Sequence, residues 1–172
     1  MIALRIALSL TIAFAGFEIG SLLADRQRRR VLEIDAWQAL LALLASDVSY
    51  SAVPLGQALR SATRSAKGLV REFAAGLAGR LEGHVLLAEA WRTELERLRP
   101  RSCLTVDDTS PLLELGEQLG RFGRAEHRGF FLRCQERLEL QRRAAADDSV
   151  RGGRMWRTLG AVAGVALALV LL

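Results

Sequence analysis

Residues 31–48 read VLEIDAWQALLALLASDV, and in this stretch Val31, Ile34, Trp37, Leu41, Leu44 and Val48 recur at spacings of three and four. Residues so spaced fall on one face of an α-helix, which makes the stripe a core-facing surface rather than a site. The composition points the same way. Leu and Ala abound, β-branched runs are scarce and aromatics make up only 6%, a profile that favours helices over strands. The expected fold class is all-α. With 172 residues the chain has room for one domain and short appendages, because separate cores need roughly 100–150 residues each. A hydrophobic content of 51% with three Pro excludes a disordered or low-complexity chain.

Working outward from this stripe, Pro54 opens a short helix, PLGQALRSAT, in whose first turn its missing N–H is harmless. A third helix is expected from Ser65 to Leu81, burying Leu69, Phe73 and Leu77, with Gly83 as its stop signal. A fourth carries Val85, Ala88, Trp91, Leu95 and Leu98 at helical spacing and ends before Pro100. The stretch 99–110 holds Pro100, Asp107 and Asp108 without periodicity and reads as the longest loop. Ser110 as N-cap and Pro111 then open a fifth helix, with Leu112, Leu115 and Leu119 inward. Its Gly116, Gly120 and Gly123 weaken the helix and allow close backbone approach. A last helix over 124–148 places Phe131, Cys134 and Leu138 on one face. Glu136 and Glu139 sit there at helical reach of Arg137, Arg142 and Arg143, a solvated face. The middle of the chain is thus a bundle of about six helices.

Both ends are apolar. Residues 6–23 (IALSLTIAFAGFEIGSLL) and 156–172 (WRTLGAVAGVALALVLL) correspond to ~27 Å and ~25 Å of helix, near the ~30 Å hydrocarbon core. Each is expected to span a membrane. Arg26, Arg28, Arg29 and Arg30 follow the first, and Arg142, Arg143, Arg151, Arg154 and Arg157 lie at or before the second, so both clusters face the middle segment. Arg-rich flanks stay on the cytoplasmic side, which makes the middle cytoplasmic. The expected organisation is an N-terminal transmembrane helix over 1–24, a cytoplasmic bundle over 25–154 with a hinge at Gly152-Gly153, and a C-terminal transmembrane helix over 155–172. Gly16 with Gly20, and Gly160 with Gly164, form GxxxG faces along which membrane helices pack. Glu18 reaches the interface near Arg26 or pairs with a polar group of another membrane protein. The competing reading is an exported helical protein cleaved after Ala13-Phe14-Ala15. It would leave an Arg-dense mature start and an apolar tail, a poor fit to signal-peptide logic.

The formal charge is +5 and the pI near 10.4. The ends hold only Arg5, Glu18 and Arg157, so the middle retains about +4. Basic patches interleaved with aromatics are absent and Lys67 is the only lysine, which argues against nucleic acid. No paired-carboxylate, phosphate-loop or His-x-x-x-His motif appears. Cys103 and Cys134 lack CxxC spacing and read as reduced and buried. A zinc site would have to draw them together with His84 and His127 from four distant places, and a Cys–His nucleophile pair has only coexistence behind it. His84, just after Gly83, reads as a helix-start residue. No enzyme, cofactor or small-molecule substrate is expected.

Over nearly its full length the chain resembles the stage III sporulation protein AB family. The likeness is carried by Gly16-Phe17, the Arg28–Arg30 run, Leu40 to Asp47-Val48-x-Tyr50, Pro54-Leu55 with Ala58-Leu59, Ala90-Trp91, Leu119-Gly120, and Arg157-Thr158-Leu159-Gly160 with Gly164. Through Pro54-Leu55-x-x-Ala58-Leu59, Ala90-Trp91 and Gly116-Glu117-x-x-Gly120, the middle also resembles the cytoplasmic helical domain of type II secretion F and type IV pilus platform proteins. The chain departs from the family pattern at Gly123, where an acidic residue is usual, and at His127, where Gln is usual.

The resemblance implies a non-enzymatic membrane component of the sporulation channel complex between mother cell and forespore. It would sit in the mother-cell membrane around the forespore during engulfment, with its bundle in mother-cell cytoplasm. By analogy with secretion platforms, the bundle would meet the stage III sporulation protein AA ATPase while the spans meet other channel proteins. Leu119 and Gly120 would shape the turn beside the contact, and Arg121, Arg124 and Arg128 would face the partner. The alternative for these positions is an ordinary turn glycine among solvated arginines.

Overall fold

The computed structural model describes residues 2–49, 53–121 and 124–171, with side chains over 25–48, 53–121 and 126–149. It is all-helical among the described residues: α1 (Ile2–Ser49), α2 (Leu55–Ser65), α3 (Gly68–Glu82), α4 (Leu87–Leu98), a 3₁₀ turn (Arg99–Arg101), α5 (Val106–Arg121) and α6 (Arg124–Leu171). The chain divides into two compact units. One consists of Met1–Arg29 with Ala144–Leu172, the other of Arg30–Arg143.

The second unit is the bundle, and its core is the set of stripes read from the sequence. Ile34, Trp37, Leu41, Leu44 and Val48 of α1 are buried, joined by Leu40; Val31 is only half-buried. Phe73 and Leu77 of α3, Trp91, Leu95 and Leu98 of α4, Leu112, Leu115 and Leu119 of α5, and Phe131, Cys134 and Leu138 of α6 complete it. Three aromatic rings from three helices stack edge to face at its centre, Trp37 on Phe73 with centroids 4.7 Å apart and Phe73 on Trp91 at 5.0 Å. Such pairs each add ~1 kcal/mol beyond the burial of their area.

Helix ends differ from expectation where local chemistry outweighs periodicity. α3 starts at Gly68, not Ser65, because Lys67 is extended and Gly68 takes φ +56°, a left-handed conformation glycine adopts without a Cβ penalty. Pro54 precedes α2 at its N-cap position. α5 starts at Val106 rather than Pro111, so the loop expected over 99–110 shrinks to the 3₁₀ turn and residues 102–105. The cause is a capping box. Asp108 Oδ2 accepts from Thr105 N at 2.8 Å and from Thr105 Oγ1 at 2.9 Å, while Thr105 Oγ1 accepts from Asp108 N at 3.4 Å. These bonds satisfy orphan donors of the first turn, and Asp107 and Asp108 complement the helix dipole there. Pro111 therefore lies inside the helix.

The end of α3 is a Schellman motif: Val85 N donates to Arg80 O at 3.4 Å and His84 N to Leu81 O at 3.2 Å. The left-handed position in it is His84, at φ +59°, while Gly83 sits at φ −80°. His84 thus closes α3 and does not start α4. α6 continues as helix through Gly152 and Gly153, so no break stands at the expected hinge. The expected membrane spans, Glu18 and the glycines Gly16, Gly20, Gly160 and Gly164 concern side chains outside the described residues. Among the residues whose side chains are described, 25–48, 53–121 and 126–149, no helix is long and apolar enough to cross a membrane.

Candidate partner surface

The residues proposed to meet a partner lie at the end of α5 and the start of α6, and α5 packs closely on α4. Trp91 is fully buried against α5, its Nε1 donating to the Leu112 carbonyl at 2.8 Å. Gly116 makes room for the ring: a Cβ there would stand 2.4 Å from Trp91 Cδ1 and Cγ. One turn on, a Cβ on Gly120 would stand 3.3 Å from the Cβ of Ala88. The two glycines four residues apart thus let α4 lie close along α5, the approach their spacing suggested. The Ala90-Trp91 and Gly116-x-x-x-Gly120 segments, far apart in sequence, meet here.

Gly120 lies within α5 and serves this packing, Leu119 is buried in the core, and Arg121, the last residue of α5, is exposed. Arg128 is exposed on α6, and the side chain of Arg124 lies outside the described residues. Arg92 and Glu117 pair beside Gly116 on the surface of α4 and α5.

Other arginines serve the bundle itself. Arg30, read from sequence as part of a membrane flank, is buried and donates from Nε to Asp108 Oδ2 at 2.8 Å and from Nη2 to Asp108 Oδ1 at 2.9 Å. Burial alone would push the Asp108 carboxyl up, but the hydrogen bonds from Arg30 and Thr105 together hold it below the usual carboxylate range. Arg142, from the second flank, donates to Asp35 Oδ1 at 2.5 Å and so ties α6 to α1. Arg143 pairs with Glu139 at 2.9 Å, as the helical spacing suggested, whereas Arg137 pairs with Glu114 of α5.

Glu94 is a buried carboxylate that sequence reasoning missed. It accepts from Arg80 Nε at 2.5 Å and pairs with Arg97 at 2.7 Å. It occupies a notch opened by Gly76, where a Cβ would stand 2.3 Å from Glu94 Oε2. Burial pushes its pKa up, and the two guanidinium bonds more than offset that. Its i, i+3 spacing to Arg97 was the available signal. Glu33 joins α1 to the α4–α5 link, accepting from Ser102 Oγ at 2.5 Å and Cys103 N at 2.9 Å.

Cys103 and Cys134 are both free thiols. Cys134 is buried, donates from Sγ to the Pro111 carbonyl at 3.4 Å, and has its pKa pushed up to about 12, by burial first and then by the Glu114 charge. A thiol so protonated is a poor nucleophile. Cys103 is half-buried, not buried as expected, and unpaired. Among the described residues no group of three or more His, Cys, Asp or Glu is placed to hold a metal ion.

The fold thus defines an all-α bundle held by buried ion pairs, with a close-packed α4–α5 contact. The chain belongs to the stage III sporulation protein AB family, whose model matches residues 5–172. No curated protein and no solved structure matches it.

Proposed function

We propose that this sporulation protein is a non-enzymatic membrane platform of the channel complex between mother cell and forespore. Its two apolar ends cross the mother-cell membrane around the forespore, and its bundle lies in the mother-cell cytoplasm. The observation that carries this reading is the agreement of two apolar ends, each followed or preceded by arginines facing the same middle segment. Each end also lies in one helix with an element of the bundle, α1 (Ile2–Ser49) and α6 (Arg124–Leu171).

In this reading the bundle docks the stage III sporulation protein AA ATPase through Arg121, Arg124 and Arg128, next to the glycine-packed α4–α5 contact, while the apolar ends contact other channel proteins. The test is capture of the ATPase by the full chain in detergent. Arg121→Glu, Arg124→Glu and Arg128→Glu together are expected to abolish stoichiometric binding while the far-ultraviolet circular dichroism of the chain stays that of the folded bundle. Undiminished binding would refute the contact. Recovery of the intact chain in aqueous extract without detergent would refute the membrane platform itself.

A further inference from the structure

Two stretches of the chain carry positive charge without any acid: residues 60–71, with Arg60, Arg64, Lys67 and Arg71, and residues 97–102, with Arg97, Arg99 and Arg101. The fold sets them side by side. Arg101 donates to both oxygens of Glu72 at 2.7 and 2.9 Å. That bond, with a smaller contribution from the nearby charge of Arg97, holds the Glu72 carboxyl below its usual range. Arg60, Arg97 and Arg101 are paired, with Glu82, Glu94 and Glu72. Arg64, Lys67, Arg71 and Arg99 are exposed and make no ion pair among the described residues. Clustered like charges repel, and a polyanion relieves that repulsion.

The patch lies at the end of the bundle unit that holds Arg30 and Glu33. Glu33 holds Ser102 and Cys103, and Arg30 holds Asp108, so the segment after the 3₁₀ turn lies along the first α1 residues of this unit. Within two residues of the Arg30–Asp108 pair, two large apolar side chains face solvent, Leu32 at 67% and Val106 at 65% exposure. Neither basic stretch contains an aromatic residue on which a base could stack. Cations accompanied by exposed aliphatic side chains suit the headgroup layer of an anionic bilayer, and in sequence only Arg26, Arg28, Arg29 and a few other residues separate this end from the apolar stretch 6–23.

The geometry points to a lipid-contacting end of the bundle, at which Arg64, Lys67, Arg71 and Arg99 rest on anionic phospholipid headgroups. This inference rests on the membrane reading above and assigns this end of the bundle to lipid, separately from the α5–α6 connection assigned to the ATPase.

Lys67, the only lysine, is a built-in reporter. The full chain is placed in nanodiscs of phosphatidylcholine alone or with one third phosphatidylglycerol, and acylation of Lys67 is followed by mass spectrometry against the amine of the chain's first residue. A surface cation gains ~1 kcal/mol on an anionic membrane, so modification of Lys67 is expected to slow roughly fivefold with phosphatidylglycerol. The slowing should vanish at about 0.5 M salt, where screening is nearly complete. The combined Arg64→Gln, Arg71→Gln and Arg99→Gln variant keeps the reporter and should lose most of the slowing. Equal rates in both nanodiscs overturn the proposal, as does protection by duplex DNA without protection by phosphatidylglycerol. A chain that fails to enter nanodiscs at all overturns the membrane reading, and this inference falls with it.

Discussion

Replacing Gly116 by Ala sets two physical effects against each other with opposite signs. Helix propensity alone makes Ala in α5 more stable than Gly by ~1 kcal/mol. The α4–α5 contact opposes this, since the new Cβ would lie 2.4 Å from two atoms of the Trp91 ring and 2.9 Å from its Nε1. The ring has nowhere to go: it is fully buried, bonded to the Leu112 carbonyl at 2.8 Å, and packed edge-on against Phe73 at 5.0 Å. Overpacking of this kind costs ~1–3 kcal/mol, and displacing the ring sacrifices a hydrogen bond and an aromatic contact of ~1 kcal/mol each. Net of propensity, the loss is ~2–4 kcal/mol, or roughly 4–16 °C in melting temperature for a chain of this size. Thermal melts of the full chain in detergent, followed by far-ultraviolet circular dichroism, measure it. Gly79→Ala is the control: it lies exposed in α3 with nothing within 4 Å of the new Cβ, and should gain ~1 kcal/mol. Trp91→Phe combined with Gly116→Ala should cost less than the sum of the two single changes, because they share one contact. If Gly116→Ala melts at or above the parent temperature, as Gly79→Ala should, the close packing of α4 on α5 is wrong.

Removing one partner of the buried Arg30–Asp108 pair should be far worse than removing both. Arg30→Met is expected to cost ~3–5 kcal/mol by leaving a buried carboxylate unpaired, and adding Asp108→Leu should restore part of it, in chemical denaturation of both variants. Acid should destabilise the bundle in a definite window. Asp108 and Glu94 are held below their ordinary values by guanidinium bonds that outweigh burial, so the stability they contribute is complete above the unfolded carboxylate range near pH 4 and lost as pH falls through their lower folded values. Melting temperature should therefore stay flat from about pH 7 to 5 and drop below about pH 4, with a shallower drop in Asp108→Asn. His84→Gly should raise stability by ~1 kcal/mol, since the residue sits at φ +59° in the Schellman motif; thermal melts check it.

The helical stripes were legible because burial follows a period of 3.6 that sequence displays directly. Trp37, Phe73, Trp91, Leu115 and Leu138 are core residues for that reason. Charge was less legible. Arg30 and Arg142 carry the same sign as their neighbours in the basic flanks, and nothing local marks that Asp108 and Asp35, 78 and 107 residues away, receive them. Asp107 and Asp108 looked like loop residues because Pro111 drew the helix start toward itself; the Thr105-x-x-Asp108 capping box was present in the sequence and is the stronger signal. Of the α4–α5 contact, the glycines of α5 announced close approach, but their counterparts Trp91 and Ala88 became evident only when α4 was laid along them.

Periodicity and composition by themselves determined that the chain is helical, which faces are apolar, and that the arginines of both flanks face one middle segment. These are properties of neighbours along a helix, set by local geometry and solvation. Which arginine is buried in an ion pair, where α5 begins, that Glu94 is a shielded carboxylate, and that two acid-free basic stretches lie side by side were decided only by tertiary structure. A charge is read from sequence as a sign, but its energy depends on the distance and burial of partners that folding brings together.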